Sequence, residues 1–306
     1  MAHNKTQPDR TERYGAHVPH PLRPYPPLII NAAITGMVPR RSTVPHLPVT
    51  PEQIVEDAVR CYEAGATIVH LHARATDESP EWRREAYAFI PEIRARCPGV
   101  VVCVTTSGRT FTELEQRADV LNLEGDARPD MASLTLGSLN FRDVASINAP
   151  DTIRALAARM AEVGIRPELE IFDTGMAYLA HTLQAEELLP TPVYANLLMG
   201  SVNTAPARMR DLANLVDALP DRTVWAAGGI GAFQLPMNAI AVFAGGHART
   251  GLEDNPYYDH AARSPADNAG LVSRVAALAK IAGRSLSSPA QTRSALGLPV
   301  PSLAWR

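Results

Sequence analysis

The stretch Ile68-Val69-His70-Leu71-His72-Ala73-Arg74 holds the residues of this chain whose types and spacing most directly imply chemistry. Residues i and i+2 of a strand point to one face, so His70 and His72 aim their imidazoles together while Val69 and Leu71 face an apolar layer. Their Cα atoms are then roughly 7 Å apart, which lets two ring nitrogens converge on one ion. An open catalytic site of this type needs a third protein ligand, and Glu253, in Thr250-Gly251-Leu252-Glu253-Asp254, is a carboxylate that could reach the pair. Two imidazoles and one carboxylate suit zinc, and iron or manganese as well. The competing reading is a strand with two hydrogen-bonded histidines and a solvated Glu253-Asp254 loop.

The elements that must present these groups alternate between strand and helix. Leu28–Ile34 is a short apolar run typical of a strand buried on both faces. Thr50-Pro51-Glu52-Gln53 starts a helix, with Thr50 as N-cap, Pro51 at N1 and Gln53 at N3, and Gly65 stops it just before the histidine strand. The pattern then repeats: a helix near 81–96, a strand Val100–Thr105, a helix near 111–122 and a strand Met131–Thr135. A helix from Pro150 to before Gly164, a strand Leu169–Phe172, a helix over 176–188 and a strand Val193–Met199 follow. A helix from Pro206 to about Ala218 leads to Thr223–Ala227, and a short helix from 234 with the run Ala239–Phe243 completes about eight strands. Helices over 266–281 and Pro289–Leu296 finish the chain. This order predicts a single-domain (β/α)8 TIM barrel over residues 28–306, with a doubly wound sheet as the alternative. A polar, Pro-rich flexible arm is expected over residues 1–27.

Bulk properties narrow the partners. A net charge of −3 gives no electrostatic reason to expect nucleic acid or an anionic membrane surface. No apolar run approaches the roughly 20 residues of a membrane span, and the first 27 residues lack a signal-peptide apolar core. Cys61, Cys97 and Cys103 show no C-x-x-C spacing, which fits a reducing cytoplasm. The only lysines are Lys5, in the expected arm, and Lys280, in a helical pattern. A Schiff-base mechanism needs a lysine in the site, so any carbon–carbon chemistry here would use a metal or another electron sink.

A barrel collects its functional groups at the C-terminal ends of its strands. Here those positions hold Thr35-Gly36, His70 and His72, Thr105-Thr106-Ser107-Gly108, Ser133, Glu170 with Asp173, Gly200, Gly228–Gly231 and Arg249 through Asp254. Taken singly, Thr105 and Ser133 are ordinary strand-end hydroxyls, and Glu170 is a salt-bridge partner at the mouth. Gly228-Gly229-Ile230-Gly231 is a tight turn or a weak phosphate signal.

Taken together, the motifs resemble the β-keto acid cleavage enzymes, the family of the 3-keto-5-aminohexanoate cleavage enzyme, over about residues 28–296. The matching blocks are Ala32-Ala33-Ile34-Thr35-Gly36, Leu47-Pro48-Val49-Thr50-Pro51-Glu52, His70-Leu71-His72-Ala73-Arg74 and Met131-Ala132-Ser133-Leu134. Gly137-Ser138-Leu139-Asn140-Phe141, Pro167-Glu168-Leu169-Glu170 and Gly245-Gly246-His247-Ala248-Arg249-Thr250-Gly251-Leu252-Glu253-Asp254-Asn255 also match. The resemblance implies a TIM barrel, a homotetramer, and a divalent metal, typically Zn2+, on His70, His72 and Glu253. It implies a base at Asp254 partnered by Arg249, and polar site residues at Thr105, Ser133 and Glu170. The implied reaction takes a β-keto acid and acetyl-CoA and gives acetoacetate and a new acyl-CoA.

Two departures from the family pattern bear on the substrate. Members acting on the amino-substituted acid carry a glutamate where this chain has Val38, so a cationic substrate tail would lack its counter-charge. Thr106-Ser107-Gly108-Arg109 replaces the usual Thr-Gly-Gly and adds a guanidinium near the mouth. The departures point to a neutral, apolar or anionic distal group, and the competing reading is that Arg109 is solvated or binds a CoA phosphate. Residues near 124–128 form a short insertion. Two rivals are a metal-dependent hydrolase of amidohydrolase type and a non-catalytic metal- or ligand-binding barrel. The first needs further histidines on the middle strands, which are missing; the second gives no reason for Arg249 beside Asp254.

Overall fold

The computed structural model describes residues 24–299. Eight parallel strands close into a barrel: β1 Ile30–Ala33, β2 Ile68–Leu71, β3 Val101–Val104, β4 Met131–Thr135, β5 Arg166–Ile171, β6 Val193–Met199, β7 Thr223–Gly229 and β8 His247–Thr250. Each pairs with its neighbours in sequence, and β8 returns to β1 in the register Ile30–Ala248 and Asn31–Arg249. A helix follows every strand: α1 Pro51–Glu63, α2 Ile90–Arg96, α3 Leu114–Ala118, α4 Pro150–Val163, α5 Thr174–Ala185, α6 Met209–Asp217, α7 Gln234–Phe243 and α8 Asn268–Ile281, with α9 Pro289–Ala295 beyond. The expected (β/α)8 topology is the observed one, and the doubly wound alternative is not.

Local chemistry explains the entries into several elements. Thr50 and Gln53 form the reciprocal capping box of α1, with Pro51 in its first turn. Outward strand residues such as Val69, Leu71, Val102 and Val104 pack under the helices. Inward residues divide by height. Ile29, Ile68, Val101, Met131 and Tyr194 fill the lower barrel with Leu296 and Leu298. Above them Asn31, His70, Ser133, Glu168, Asn196 and Arg249 are buried polar groups on the inward face.

The eighth strand is a correction. Ala239–Phe243, expected as a strand, is the second half of α7, and β8 is His247–Thr250. An apolar run of five residues carries no period that separates helix from strand, whereas β8 hides its strand character behind an inward Arg249. The helix expected over 81–96 is a short strand at Pro80–Glu81, a 3-10 turn at Arg84–Tyr87 and α2, which starts only at Ile90-Pro91. The helix expected over 111–122 is α3 followed by a 3-10 turn at Asp119–Asn122, and α6 begins at Met209 rather than Pro206. The segment near 124–128, expected as an insertion, is a 3-10 turn at Gly125–Ala127, held to α2 by Arg94, which donates to the carbonyls of Asp126 and Arg128.

Of the expected N-terminal arm, residues 1–23 lie outside the described residues. Its last part is seated: Arg284 donates to the Pro26 carbonyl and lies over the Tyr25 ring. Among the described residues no helix is long and apolar enough to cross a membrane.

Candidate active site

His70 is the last inward residue of β2, and His72 lies one residue beyond that strand. Alternation carries through the strand end, so the two Nε2 atoms come within 3.2 Å of each other. Thr35, just past β1, clamps the His72 backbone by accepting from its N–H at 2.8 Å and donating to its carbonyl at 2.9 Å. Glu253 arrives from the loop after β8. Its N–H donates to the Ala33 carbonyl at 3.2 Å, and its side chain passes so close to Gly36 that a Cβ there would sit 2.7 Å from Glu253 Cγ. Gly36, at φ +64°, is therefore required by both conformation and space.

Glu253 Oε2 lies 3.3 Å from His72 Nε2 and 3.7 Å from His70 Nε2, and it is buried without a hydrogen-bond partner. Three donors of a tetrahedral zinc ion at about 2.0–2.1 Å lie about 3.4 Å apart. The donor set, its spacing and the unpartnered carboxylate oxygen therefore fit a divalent ion. A carboxylate beneath orients the first of these rings. Glu168 Oε2 accepts from His70 Nδ1 at 2.6 Å, and Glu168 Oε1 accepts from Asn31 at 2.6 Å. Burial opposes ionisation of Glu168, but the His70 ring, its hydrogen bond and Arg249 hold this carboxyl down to about 2. His72, in contrast, is pushed down to about 4 by burial, against the pull of Glu253. Cys103, His70 and Glu168 form a second close trio, in which the thiol lies 3.2 Å from Glu168. Burial and Glu168 push that thiol well above its ordinary range, which makes it a hydrogen-bond donor rather than a thiolate ligand.

Arg249 binds the acidic residues into one unit. Although only 1% exposed, it donates through Nε to Asp254 Oδ2 at 3.0 Å and through a terminal nitrogen to Glu253 Oε1 at 2.9 Å. Its other terminal nitrogen lies 3.7 Å from Glu168 and 3.6 Å from Glu170. Burial and the Glu253 charge outweigh Arg249 at Asp254 and raise its carboxyl above the ordinary aspartate value. Glu170 is also raised, chiefly by burial, and accepts from the Thr135 hydroxyl at 2.7 Å.

Hydroxyls line the next sector. Ser133 Oγ accepts from the Thr106 N–H at 3.1 Å, and the Thr106 hydroxyl donates to the Ser133 carbonyl at 2.5 Å. Thr105 Oγ1 accepts from the Ser107 N–H at 3.0 Å, and Ser107 Oγ accepts from the Arg109 N–H at 3.3 Å. Thr105 and Ser133 thus each keep an O–H to donate. A cleft beside His72 is lined by Met37, Trp82, Thr105, Ser107 and Phe111.

The geometry brings together His70, His72, Glu253, Asp254, Arg249 and Glu170, with Thr105 just past β3 and Ser133 within β4. Val38 stands apart: its side chain is 59% exposed on the loop after β1. Asp173 is the N-cap of α5, accepting from the Met176 N–H. The Gly228–Gly231 stretch is no phosphate cradle. Gly229 is in β7, where a Cβ would lie 2.1 Å from the Phe233 carbonyl oxygen, and the Gly231 N–H already donates to the backbone carbonyl of Asp254. Glu168, Thr135 and Asn31 are members that sequence reasoning did not single out. The Glu168-x-Glu170 spacing carried the signal, since i and i+2 share a strand face just as the two histidines do.

Known proteins bear on this arrangement. The chain is 42% identical over 278 residues to a 3-oxoadipate:acetyl-CoA acetyltransferase of Cupriavidus necator, covering 89% of this chain and 95% of that protein. It is 35% identical to a 3-keto-5-aminohexanoate cleavage enzyme of Fusobacterium nucleatum, covering 89% of this chain and 98% of the other. The fold superposes on the apo structure of ObcA with a TM-score of 0.73 at 23% identity, over 83% of this chain and 66% of that longer one. A model of the beta-keto acid cleavage enzyme family matches residues 27–298, which takes in every strand of the barrel and the His70–His72–Glu253 cluster, and the chain belongs to that family.

Proposed function

We propose that this protein transfers an acyl group from a β-keto acid to CoA: the β-keto acid and acetyl-CoA become acetoacetate and a new acyl-CoA. The observation that carries this reading is the convergence of His70, His72 and Glu253 beside Asp254, with Arg249 bridging the two carboxylates. His70, His72 and Glu253 would hold a divalent metal, Zn2+ in this proposal, which supplies Lewis-acid polarisation of the keto oxygen when bound.

The chain's own residues do the rest. Asp254, its carboxyl raised by burial and Glu253, takes the C2 proton of the β-keto acid, and Arg249 fixes the carboxylate's direction. The C2 carbanion attacks the acetyl thioester and CoA leaves as thiolate. The thiolate then adds to the neighbouring acyl carbonyl, and the C2–C3 bond breaks to give the new acyl-CoA and the acetoacetate carbanion. The proton held by Asp254 returns to that carbon. Thr105 and Ser133 donate to the oxyanions that form, each worth on the order of 3 kcal/mol in such a role. Glu170, held by Thr135, lies 3.6 Å from Arg249 and steadies it from the far side. No lysine is needed, and Lys280 is exposed on α8.

The substrate's distal end is read as neutral, apolar or anionic, because the loop after β1 carries Val38 where a carboxylate would serve a cationic tail. The 3-oxoadipate in the name of the Cupriavidus relative, which ends in a second carboxylate, meets that condition. The proposal includes a cytoplasmic homotetramer: the family resemblance supports the assembly, and three free, buried cysteines suit a reducing compartment. The hydrolase alternative is not favoured, because β5 and β6 end in Ile171 and Met199 rather than in histidines.

The test is to incubate the metal-loaded protein with acetyl-CoA and a panel of β-keto acids, following thioesters by mass. A new acyl-CoA formed in step with acetoacetate is expected. Hydrolysis to free acids without a new thioester would overturn the reading.

A further inference from the structure

The guanidinium of Arg109, at the mouth of the barrel, is left without a hydrogen-bond or ion-pair partner among the described residues. Arg109, half-buried in the loop after β3, lies with Cζ 3.4 Å from the centroid of the Phe141 ring. Phe141 is itself packed edge-on against Phe172, just past β5, with centroids 5.8 Å apart. The loop beneath is pinned: buried Arg117 donates to the Thr106 carbonyl at 2.8 Å and to Asn148 at 2.7 Å. Arg117, Arg74 and Arg249 all spend their guanidinium groups on carbonyls or carboxylates. Arg109 gives only its backbone N–H, and its guanidinium has no hydrogen-bond or ion-pair partner among the described residues.

A guanidinium held over an aromatic ring by its carbon leaves N–H groups free to donate, and its fork matches a planar carboxylate taken up through two parallel bonds. Burial lowers the pKa of Arg109, and Glu253, Glu170 and Asp254 act in the opposite sense, so it lies within electrostatic reach of the centre.

We propose that Arg109, stacked on Phe141, binds the distal carboxylate of a β-keto dicarboxylic acid and so sets the substrate class of this enzyme. The inference rests on the function proposed above and adds the identity of the substrate's far end. Val38 agrees with it, because a carboxylate on the loop after β1 would repel such an acid. A CoA phosphate is the other anion this group would accept; its half-buried position inside the mouth favours the smaller carboxylate of the substrate.

The experiment compares wild type, R109Q and R109K on a β-keto diacid and on the neutral analogue in which a methyl group replaces the distal carboxylate, with acetyl-CoA varied independently. The expected result is a roughly 10- to 100-fold fall in the diacid-to-neutral ratio of kcat/KM for R109Q, read mainly in the KM for the diacid. R109K, which keeps the charge but loses the fork, recovers part of the ratio and serves alone if R109Q does not fold. An unchanged ratio in both variants overturns the proposal. So does a rise in the KM for acetyl-CoA with the ratio intact, which would assign Arg109 to a CoA phosphate. Wild-type turnover of the neutral acid but not the diacid would sink this inference alone; turnover of neither would sink the proposed function.

Discussion

Glu168 Oε2 sits 2.6 Å from His70 Nδ1, and that contact decides which nitrogen of the ring faces Glu253. An ionised Glu168 takes the Nδ1–H and leaves the Nε2 lone pair directed at His72 and Glu253. Carboxylates that orient a liganding imidazole in this way typically contribute 10- to 100-fold to metal affinity. Glu168→Gln puts an amide nitrogen either against the His70 N–H or against the Asn31 amide, both donors. The expected outcome is a fall in divalent-metal affinity of about 10- to 100-fold, measured by competition against a chelator, with the circular dichroism unchanged. Unchanged affinity would remove Glu168 from this role.

Asp254→Asn separates the proposed base from the proposed ligands. The amide oxygen still accepts from Arg249 Nε, so Glu253 keeps its neighbour and the cluster keeps its shape. What is lost is a group able to take a proton. Metal content should stay stoichiometric while kcat falls about 10²- to 10⁴-fold. A variant that retains wild-type turnover would dismiss Asp254 as the base.

How much of this was legible in sequence depends on the kind of signal. The barrel followed from repeated strand–helix spacing, and α1 from Thr50, Pro51 and Gln53, because caps and periods are local. The histidine couple followed from two-residue alternation for the same reason. β8 was misplaced because its identity depends on burying Arg249 among four carboxylates that meet it only after closure of the barrel. Glu168 was passed over on similar grounds: its partner His70 is 98 residues away, and no local pattern links them. The glycines at the end of β7 gave an ambiguous signal, since close packing against the start of α7 and phosphate binding both call for glycine.

Val38→Glu tests the substrate's far end from the loop after β1. The new carboxylate would stand at a position 59% exposed, near Arg40, whose guanidinium donates to the Val38 carbonyl at 3.2 Å. Solvent and Arg40 both weaken what it offers a cationic tail. Exposed pairs of this kind contribute about 0.2–1 kcal/mol. A gain of roughly 2- to 5-fold in kcat/KM for an amino-substituted β-keto acid is expected, together with a loss for the diacid. No change in either ratio would mean that the tail does not approach this loop.

His247 provides a test of the barrel's lower half by pH. Its Nδ1 accepts from the Ile29 N–H at 3.0 Å between β1 and β8, which requires a neutral ring. Burial, aided by the charge of Arg284, pushes its pKa down to about 3, whereas an unfolded histidine titrates near about 6.5. Between these values the unfolded chain binds a proton that the folded chain refuses, so the contribution is full above about pH 6.5 and is lost as the pH falls toward 3. His247→Asn keeps an acceptor for Ile29 without a titrating group. Urea denaturation of both proteins at pH 7 and pH 5 should show wild type losing about 2 kcal/mol more than the variant over that interval. Parallel losses would mean that the folded protein tolerates a charged His247, and that the hydrogen bond to Ile29 does not hold the ring neutral.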